Sequence, residues 1–142
     1  MTSLHHYTPS LTAIDPRGLN VRRVNYHRLS VNEPPQSRIH QSRYDTRGSL
    51  VQQWDPRLLA REAITPEAQP NLRYLSSLSG QIVKTDSVDS GWHVTLCGTG
   101  LQTLATWDAR GSHQRFEYDT HARLMAIHEQ LSNDPQPRCI ER

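Results

Sequence analysis

The clearest hydrophobic pattern in the chain is a strict alternation in WHVTLCG, residues 92–98. Trp92, Val94 and Leu96 alternate with polar or small residues, and side chains that recur every second residue share one face of a β-strand. The preceding Asp89–Gly91 is typical of a hairpin turn. We therefore predict a strand here, joined to the strand before it by a tight reversal.

Weaker alternation predicts further strands. The period of two continues from Leu101 to Trp107, and less regularly from Leu50 to Trp54. In LNVRRVNYHRL the apolar phase slips by one residue after Val21. A β-bulge is expected there, because one extra residue resets the period of a strand. The pattern as a whole indicates an all-β fold.

One segment has the pattern of a helix instead. In DPRLLAREA, Asp55 is a suitable N-cap, Pro56 suits the first helical position, and helix-forming residues follow. Pro66 and Pro70 stop anything longer. We predict one short helical segment near 56–63, within a loop.

Two other proline-containing stretches indicate loop or tail. VNEPPQS, residues 31–37, is predicted to be a loop. The residues from Asn133 onwards, NDPQPRCIER, combine turn residues with two prolines at the end of the chain. We therefore expect a β-sheet region over 1–132 and an extended or disordered tail over 133–142.

Glycines punctuate the chain at nearly even intervals. Gly18, Gly48, Gly80 and Gly111 are separated by 30, 32 and 31 residues, and each follows turn-type residues and precedes strand-like ones. The surrounding letters are IDPRGL, YDTRGSL, SSLSGQI and WDARGSH. A further copy, YDTHARL, has Ala122 where glycine is expected. Such spacing predicts a loose repeat.

The chemistry of one copy predicts a compact reversal between two strands. The Asp side chain can bond its own backbone two residues on, and Gly adopts positive φ without a Cβ clash. The apolar or aromatic residue before Asp and the Leu two residues after Gly then mark the strand ends. The predicted structural repeat motif comprises Asp15, Gly18, Tyr44, Asp45, Gly48, Leu50, Gly80, Trp107, Asp108, Gly111, Tyr118, Asp119 and Leu124.

Composition changes this picture by arguing against a large core. Only 35% of the 142 residues are apolar, against about 45–50% for an average globular chain counted with glycine. We expect a thin core, or one that another chain completes. The two cysteines, Cys97 and Cys139, are too few and too isolated for a disulfide framework or a zinc site, so we expect reduced structural thiols.

The charge pattern argues against nucleic acid as a partner. The formal net charge is +2, and fifteen arginines and one lysine are interleaved with fourteen acids. A nucleic-acid-binding surface concentrates its basic residues on one face. No run approaches the ~20 apolar residues that cross a bilayer, and the start of the chain lacks the pattern of a secretory signal. We expect no nucleic-acid partner, no membrane segment and no classical signal peptide.

No pattern points to catalysis. Asp45, Asp108 and Asp119 are candidates for acid–base chemistry, but the turn already accounts for each of them. The eight histidines lack metal-ligand spacing, and no Gly-x-Ser-x-Gly elbow is present. We predict no catalytic, cofactor-binding or metal-binding residues, no cofactor and no enzymatic activity.

The letters YDTRGSL and YDTHARL resemble the tyrosine-aspartate (YD) repeats of the Rhs family. The blocks DPRGLNVR, YDTRGSLVQQWDPRL, LSGQIVKTDSVDSGWHVTL and EQLSNDPQPRCIER resemble consecutive segments from the N-terminal part of the C component, TccC type, of three-part insecticidal toxin complexes. The resemblance covers nearly the whole chain, and the blocks follow the order of the family.

The resemblance implies an architecture. In that family, YD repeats form a sheet that spirals into a hollow shell, closed together with a B component, around a toxin domain that the protein cuts free. We therefore expect antiparallel YD-repeat hairpins in a curved open sheet, part of an Rhs-type shell. The matching blocks include neither the self-cleaving segment nor a toxin domain, so those activities are not carried over.

Two functions compete. The first is a non-catalytic structural fragment of a toxin-encapsulating shell, whose partners are the B component and further C-component repeats. Such a chain would be secreted as part of the complex, and otherwise cytoplasmic. The alternative is a secreted YD-repeat module that binds carbohydrate or a host surface through Trp54, Trp92 and Trp107. An independent hydrolase has no motif behind it.

Overall fold

The computed structural model describes residues 8–141, apart from the side chain of residue 135. The chain divides into two compact units between Arg73 and Tyr74. Within the described residues there are eleven strands, which pair in antiparallel fashion, and the order of the strands across the sheet follows their order along the chain. The prediction of an all-β, antiparallel open sheet with one short helix is confirmed.

The first unit contains the helix and the division falls within a strand. Its elements are β1 (Ser10–Ile14), β2 (Asn20–His27), β3 (Gln36–Tyr44), β4 (Leu50–Trp54) and α1 (Pro56–Glu62), followed by β5 (Leu72–Ser76), which crosses into the second unit.

In the described part of the second unit, all regular structure is strand. The elements are β6 (Ile82–Ser87), β7 (Gly91–Cys97), β8 (Thr103–Asp108), β9 (Ser112–Tyr118), β10 (Leu124–Leu131) and β11 (Asp134–Glu141). The strand predicted from WHVTLCG is β7. Its apolar residues do not form a buried face, since Trp92 and Leu96 are both exposed.

Helix α1 begins as the sequence predicts. The carboxylate of Asp55 accepts a hydrogen bond from the backbone N–H of Leu58 at 2.8 Å, and Pro56 occupies the first turn, where its missing N–H leaves no donor unpaired. The helix packs against β3.

The core is thin, as the composition predicts. Among the described residues four are buried: Trp54, Ala105 and Ala126, with 3%, 7% and 8% of their surface exposed, and Pro70. Large apolar side chains remain at the surface, and Leu78 is 95% exposed. Two of the four buried residues are alanines, which remove little apolar area from water, so close packing here depends on backbone pairing more than on side-chain bulk.

The prediction of a separate tail over 133–142 is wrong for the residues that the structure describes. Residues 134–141 form β11, which pairs with β10. The two prolines lie in an irregular stretch, where residues 135–137 stand opposite Gln130 between the Leu131–Asp134 and Glu129–Arg138 pairs. Proline is tolerated at bulges and on edge strands because the ladder there does not use its missing N–H.

Candidate functional site

The repeated turn is the feature with the strongest sequence signature, and Asp45–Ser49 shows its geometry. One oxygen of Asp45, Oδ1, accepts hydrogen bonds from the backbone N–H groups of Arg47 and Ser49, at 2.9 and 2.8 Å. The N–H of Asp45 donates to the carbonyl of Ser49, and the N–H of Gly48 donates to the carbonyl of Asp45. Gly48 has φ of +87°, a value that side chains disfavour. Asp and Gly thus shape the reversal together.

Three other aspartates make the same two side-chain bonds. Oδ1 accepts from the backbone N–H groups two and four residues further on, at 2.9 to 3.0 Å, in the turns that begin at Asp15, Asp108 and Asp119. Gly18 and Gly111 have positive φ, as Gly48 does, whereas Ala122 holds φ of 60° in the last copy. The structure therefore brings each predicted Asp–Gly pair together within its own turn.

The turn hydrogen bonds favour the ionised form of Asp15, Asp45 and Asp119. The backbone N–H of Leu19 lowers the pKa of Asp15, and the N–H groups of Ser49 and Arg123 do the same for Asp45 and Asp119. Arginines add to this effect, because Arg17 donates to Asp15 and Arg123 to Asp119 at 2.8 and 2.7 Å. A carboxylate used in this way is held as an acceptor and is poorly suited to donating a proton in catalysis.

The tyrosines before Asp tie each turn to the neighbouring strand. The hydroxyl of Tyr44 donates to the carbonyl of Asn20 at 3.1 Å, and the hydroxyl of Tyr118 donates to that of Thr103 at 2.7 Å. Leu50 and Leu124 lie directly opposite these tyrosines in the strand pairing. The ring is therefore fixed both across its own hairpin and to the strand before it.

Four of the turns are followed by a bulge at a constant place. These turns begin at Asp15, Asp45, Asp119 and Gly98. The pairing leaves one extra residue on the outgoing strand, six positions after the first residue of the turn, at Val21, Val51, Met125 and Leu104. The bulge predicted in LNVRRVNYHRL is confirmed at Val21. Since a bulge increases local twist, turn and bulge together redirect the outgoing strand.

Trp107 precedes the turn that begins at Asp108, which has the same hydrogen bonds as the others, but its ring makes a different contact from those of the tyrosines. Its ring stacks on that of His113, directly opposite in the β8–β9 pair, with centroids 4.9 Å apart and planes at 5°. The described β8–β9 register continues without a bulge from Trp107 to Ala105. Trp107 therefore packs across its own hairpin, and the turn at Asp108 does not share the bulge.

Sequence reasoning missed one turn. Residues 98–102 make the same backbone bonds, in which the N–H of Gly98 donates to the carbonyl of Gln102 and that of Leu101 to the carbonyl of Gly98. Leu101 holds the positive φ, at 67°. The sequence signal for this turn is Gly98-Thr99-Gly100, but no aspartate begins the turn and no glycine takes the left-handed position.

The even spacing of the glycines does not define one structural unit. Two strands lie between Gly18 and Gly48, two strands and the helix between Gly48 and Gly80, and three strands between Gly80 and Gly111. Because successive strands are antiparallel, the Gly111 turn lies at the opposite end of the strands from the Gly80 turn. What repeats is the sequence and hydrogen bonding of the turn. The near-constant spacing of the glycines does not correspond to a constant number of strands.

A polar cluster beside α1 surrounds Trp54, which is buried. Arg43 donates to both carboxylate oxygens of Glu62 at 2.8 Å, and its guanidinium carbon lies 5.2 Å from the centroid of the Trp54 ring. Arg43 and Trp54 both reach the side-chain oxygen of Gln52, at 3.3 and 3.4 Å. Trp54 is thus enclosed, and its ring cannot stack on a sugar, as the carbohydrate hypothesis requires.

Among the described residues, no group of three or more His, Cys, Asp or Glu side chains could hold a metal ion. No helix of the described residues is long and apolar enough to cross a bilayer.

Comparisons with known proteins give the relationship that the turns indicate. No family model matches the chain. Toxin subunit YenC1 of Yersinia entomophaga is 31% identical over 146 residues, which is 99% of this chain and 15% of the relative. Toxin subunit YenC2 of the same organism is 40% identical over 85 residues, 59% of this chain and 8% of the relative. The chain therefore spans only a small part of the length of these relatives.

Solved structures agree in fold over almost the whole chain. A crystal structure of TcdB2-TccC3 without its hypervariable C-terminal region matches with a TM-score of 0.90 and 33% identity, over 96% of this chain and 6% of that chain. The Photorhabdus luminescens Tc holotoxin pore matches with a TM-score of 0.88 and 33% identity, over the same shares.

The class that fold and turns define is that of the Rhs/YD-repeat proteins, in which Tyr-Asp turns link the strands of an open sheet. Within it, the resemblance to the TccC-type C component of insecticidal toxin complexes is confirmed.

Proposed function

We propose that this chain is a non-catalytic, structural part of a toxin-encapsulating Rhs shell. The observation that carries the proposal is the similarity to toxin C components over 96–99% of the chain. The thin core supports it, because a wall that faces a cavity or a neighbouring chain has less need of an interior of its own. Its partners on this proposal are a B component and further C-component repeats, and it leaves the producing cell as part of their complex.

The two edges of the sheet differ in a way that gives the assembly a direction. Strand β1 has the sequence SLTAI, without charge or proline, and all five residues are exposed. Strand β11 contains two prolines at an irregular stretch and an ion pair between Arg138 and Asp134 at 3.1 Å. Prolines, charges and bulges blunt an edge, whereas a plain strand accepts another strand. We infer that the sheet continues through β1.

Co-expression with a B component of the TcdB2 type tests the function. We expect the tagged chain to co-purify with the B component, or with added C-component repeats, and the chain alone to aggregate or self-associate on size-exclusion chromatography. A monodisperse monomer with a sharp unfolding transition and no affinity for either partner would contradict the proposal. Binding of the chain to glycan arrays, lost in Trp92→Ala, would support the alternative function.

A matched pair of variants tests the edge. Leu11→Lys places a charge on β1, and Leu78→Lys places the same charge on a turn residue of the second unit that is even more exposed. We expect Leu11→Lys to reduce partner capture at least about tenfold, since an edge charge opposes strand addition, and Leu78→Lys to leave it unchanged. Equal capture by both variants would exclude β1 as the assembling edge while leaving the shell function to the co-purification result.

A further inference from the structure

The second unit contains a small cavity whose lining is basic. It has a volume of about 140 Å³ and is lined by His113, Arg115, His128, Gln130 and Pro137. In the strand pairing His128 lies opposite Arg115 and Gln130 opposite His113, so these four side chains share one face of the β9–β10 hairpin. Two imidazoles, a guanidinium and an amide therefore converge, and no carboxylate lines the space.

The lining offers several hydrogen-bond donors. Arg115 has five N–H groups on three nitrogens, and one of these nitrogens, Nη2, donates to Glu117 at 2.7 Å. The ring of His113 is held by stacking on Trp107. Guanidinium and imidazole N–H groups can donate to an oxyanion, and a guanidinium repels cations.

Glu117 lies beside the cavity as a competitor. Its second oxygen is 3.4 Å from Nε2 of His128, so it neutralises Arg115 and draws His128 towards itself. An anion in the cavity therefore competes with Glu117 for Arg115.

Two residues that the neighbouring strands place beside this face are uncharged. Trp107 on β8 is neutral, and on β11 the residue opposite His128 is Cys139, whose thiol donates to the carbonyl of Glu141. Glu129 is turned to the other side of β10, where it accepts from Ser112 and Gln114.

We propose that the cavity between β9, β10 and β11 binds a small oxyanion, either a tetrahedral sulfate or phosphate group or a carboxylate. Arg115 supplies the charge, the imidazoles of His113 and His128 supply further N–H donors, and Gln130 completes the lining. The inference is independent of the shell function, because it rests on side chains of one hairpin.

Titration of the full chain with sodium sulfate tests the site. We expect saturable, single-site binding, measured by calorimetry and by shifts of the imidazole resonances of His113 and His128. Acetate, titrated at the same ionic strength, tests the carboxylate arm. Equal shifts of His93 and His121, which lie outside the cavity, would mean general screening and would overturn the proposal.

Two variants give opposite signs. Arg115→Gln should weaken sulfate binding at least about tenfold, whereas Glu117→Gln should tighten it about threefold by freeing Arg115. Loss of structure cannot tighten binding, so the second variant separates a site from a folding effect. His93→Gln is the matched control and should change nothing. Weakening or no effect in Glu117→Gln would contradict the proposed role of Glu117 as a competitor.

Discussion

The hairpin of β3 and β4 and the hairpin of β9 and β10 use the same turn but obtain their burial differently. The first has α1 beside it, a tryptophan that is 3% exposed and an ion pair from strand to helix. The second buries only Ala126, and its Asp turn carries an alanine at positive φ. The turn chemistry therefore defines where strands reverse, while side-chain burial is a local addition. Substitutions in either hairpin, or in the turns that they share, test this difference.

Removal of Trp54 is expected to have the largest effect. Trp54→Ala should lower the free energy of unfolding by about 3–5 kcal/mol, because it deletes the largest buried side chain and leaves a cavity beside Arg43. Urea unfolding followed by circular dichroism measures it.

Trp92 is the matched control for that experiment. It is 39% exposed in β7, so Trp92→Ala should lower stability by less than about 1.5 kcal/mol. Equal losses in the two variants would mean that α1 does not enclose Trp54 in solution.

The turns should respond with opposite signs to exchange of glycine and alanine. Gly48→Ala places a Cβ at φ of +87° and should lower the free energy of unfolding by about 1–2 kcal/mol. The nearest atom to that Cβ, Cδ1 of Leu19, is at an ordinary contact distance of 3.6 Å, so the loss comes from backbone strain.

The reverse exchange, Ala122→Gly, relieves a φ of 60° and should raise stability by up to about 1 kcal/mol. Ala109→Gly is the control, because Ala109 lies in the Asp108 turn outside the left-handed region, and it should lower stability by a few tenths to about 1 kcal/mol. Thermal unfolding of the three variants gives the comparison. A stabilised Ala109→Gly would contradict the assignment of strain to residue 122.

Much of the fold could be predicted from local signals. Asp55 and Pro56 located the helix, and the slip in apolar phase after Val21 located a bulge, because both depend on a few adjacent residues. The turn at Leu101 was missed since its left-handed residue has a side chain. Strand β11 was missed because its prolines indicate a break unless the edge position of the strand is known.

The cluster around Arg43 was beyond prediction for another reason. Arg43 and Glu62 are nineteen residues apart, and their meeting depends on how the β4–β5 connection folds back over β3. The basic cavity likewise depends on the β9–β10 register, which pairs Arg115 with His128 only once the turn at Asp119 is fixed. Neither the strand register nor contacts between residues far apart in the sequence can be predicted from a short stretch of sequence.

Acid should lower the stability of the first unit through Asp55, the residue that caps α1. Burial raises the pKa of Asp55, but the N–H of Leu58, Asn71 and Arg57 outweigh it and lower the pKa to about 2. A carboxyl whose folded pKa is lowered contributes stability above its unfolded pKa and loses it as pH falls. We expect Asp55 to contribute fully above about pH 5 and to lose its contribution between about pH 4 and 2.

The Asp55→Asn variant isolates that contribution. Asn still caps a helix but does not titrate, so the variant should be slightly less stable near pH 7 and should show a flatter loss of stability between about pH 4 and 2. Urea midpoints across the pH range measure the difference. A pH dependence identical to that of the unmodified chain would show that Asp55 is not held ionised by the cap.

The ion pair between Arg43 and Glu62 is expected to have the smallest effect. Both side chains are partly exposed, so Coulomb attraction is screened, and Glu62→Gln should lower the free energy of unfolding by only about 0.5–1 kcal/mol. High salt should shrink the difference between the variant and the unmodified chain. Arg57→Gln is the control, since Arg57 pairs with Asp55 while 81% exposed, and it should change stability by less than about 0.5 kcal/mol. If Glu62→Gln instead approached the effect of Trp54→Ala, α1 would be held to the sheet by charge, and the contrast between the two hairpins would be electrostatic.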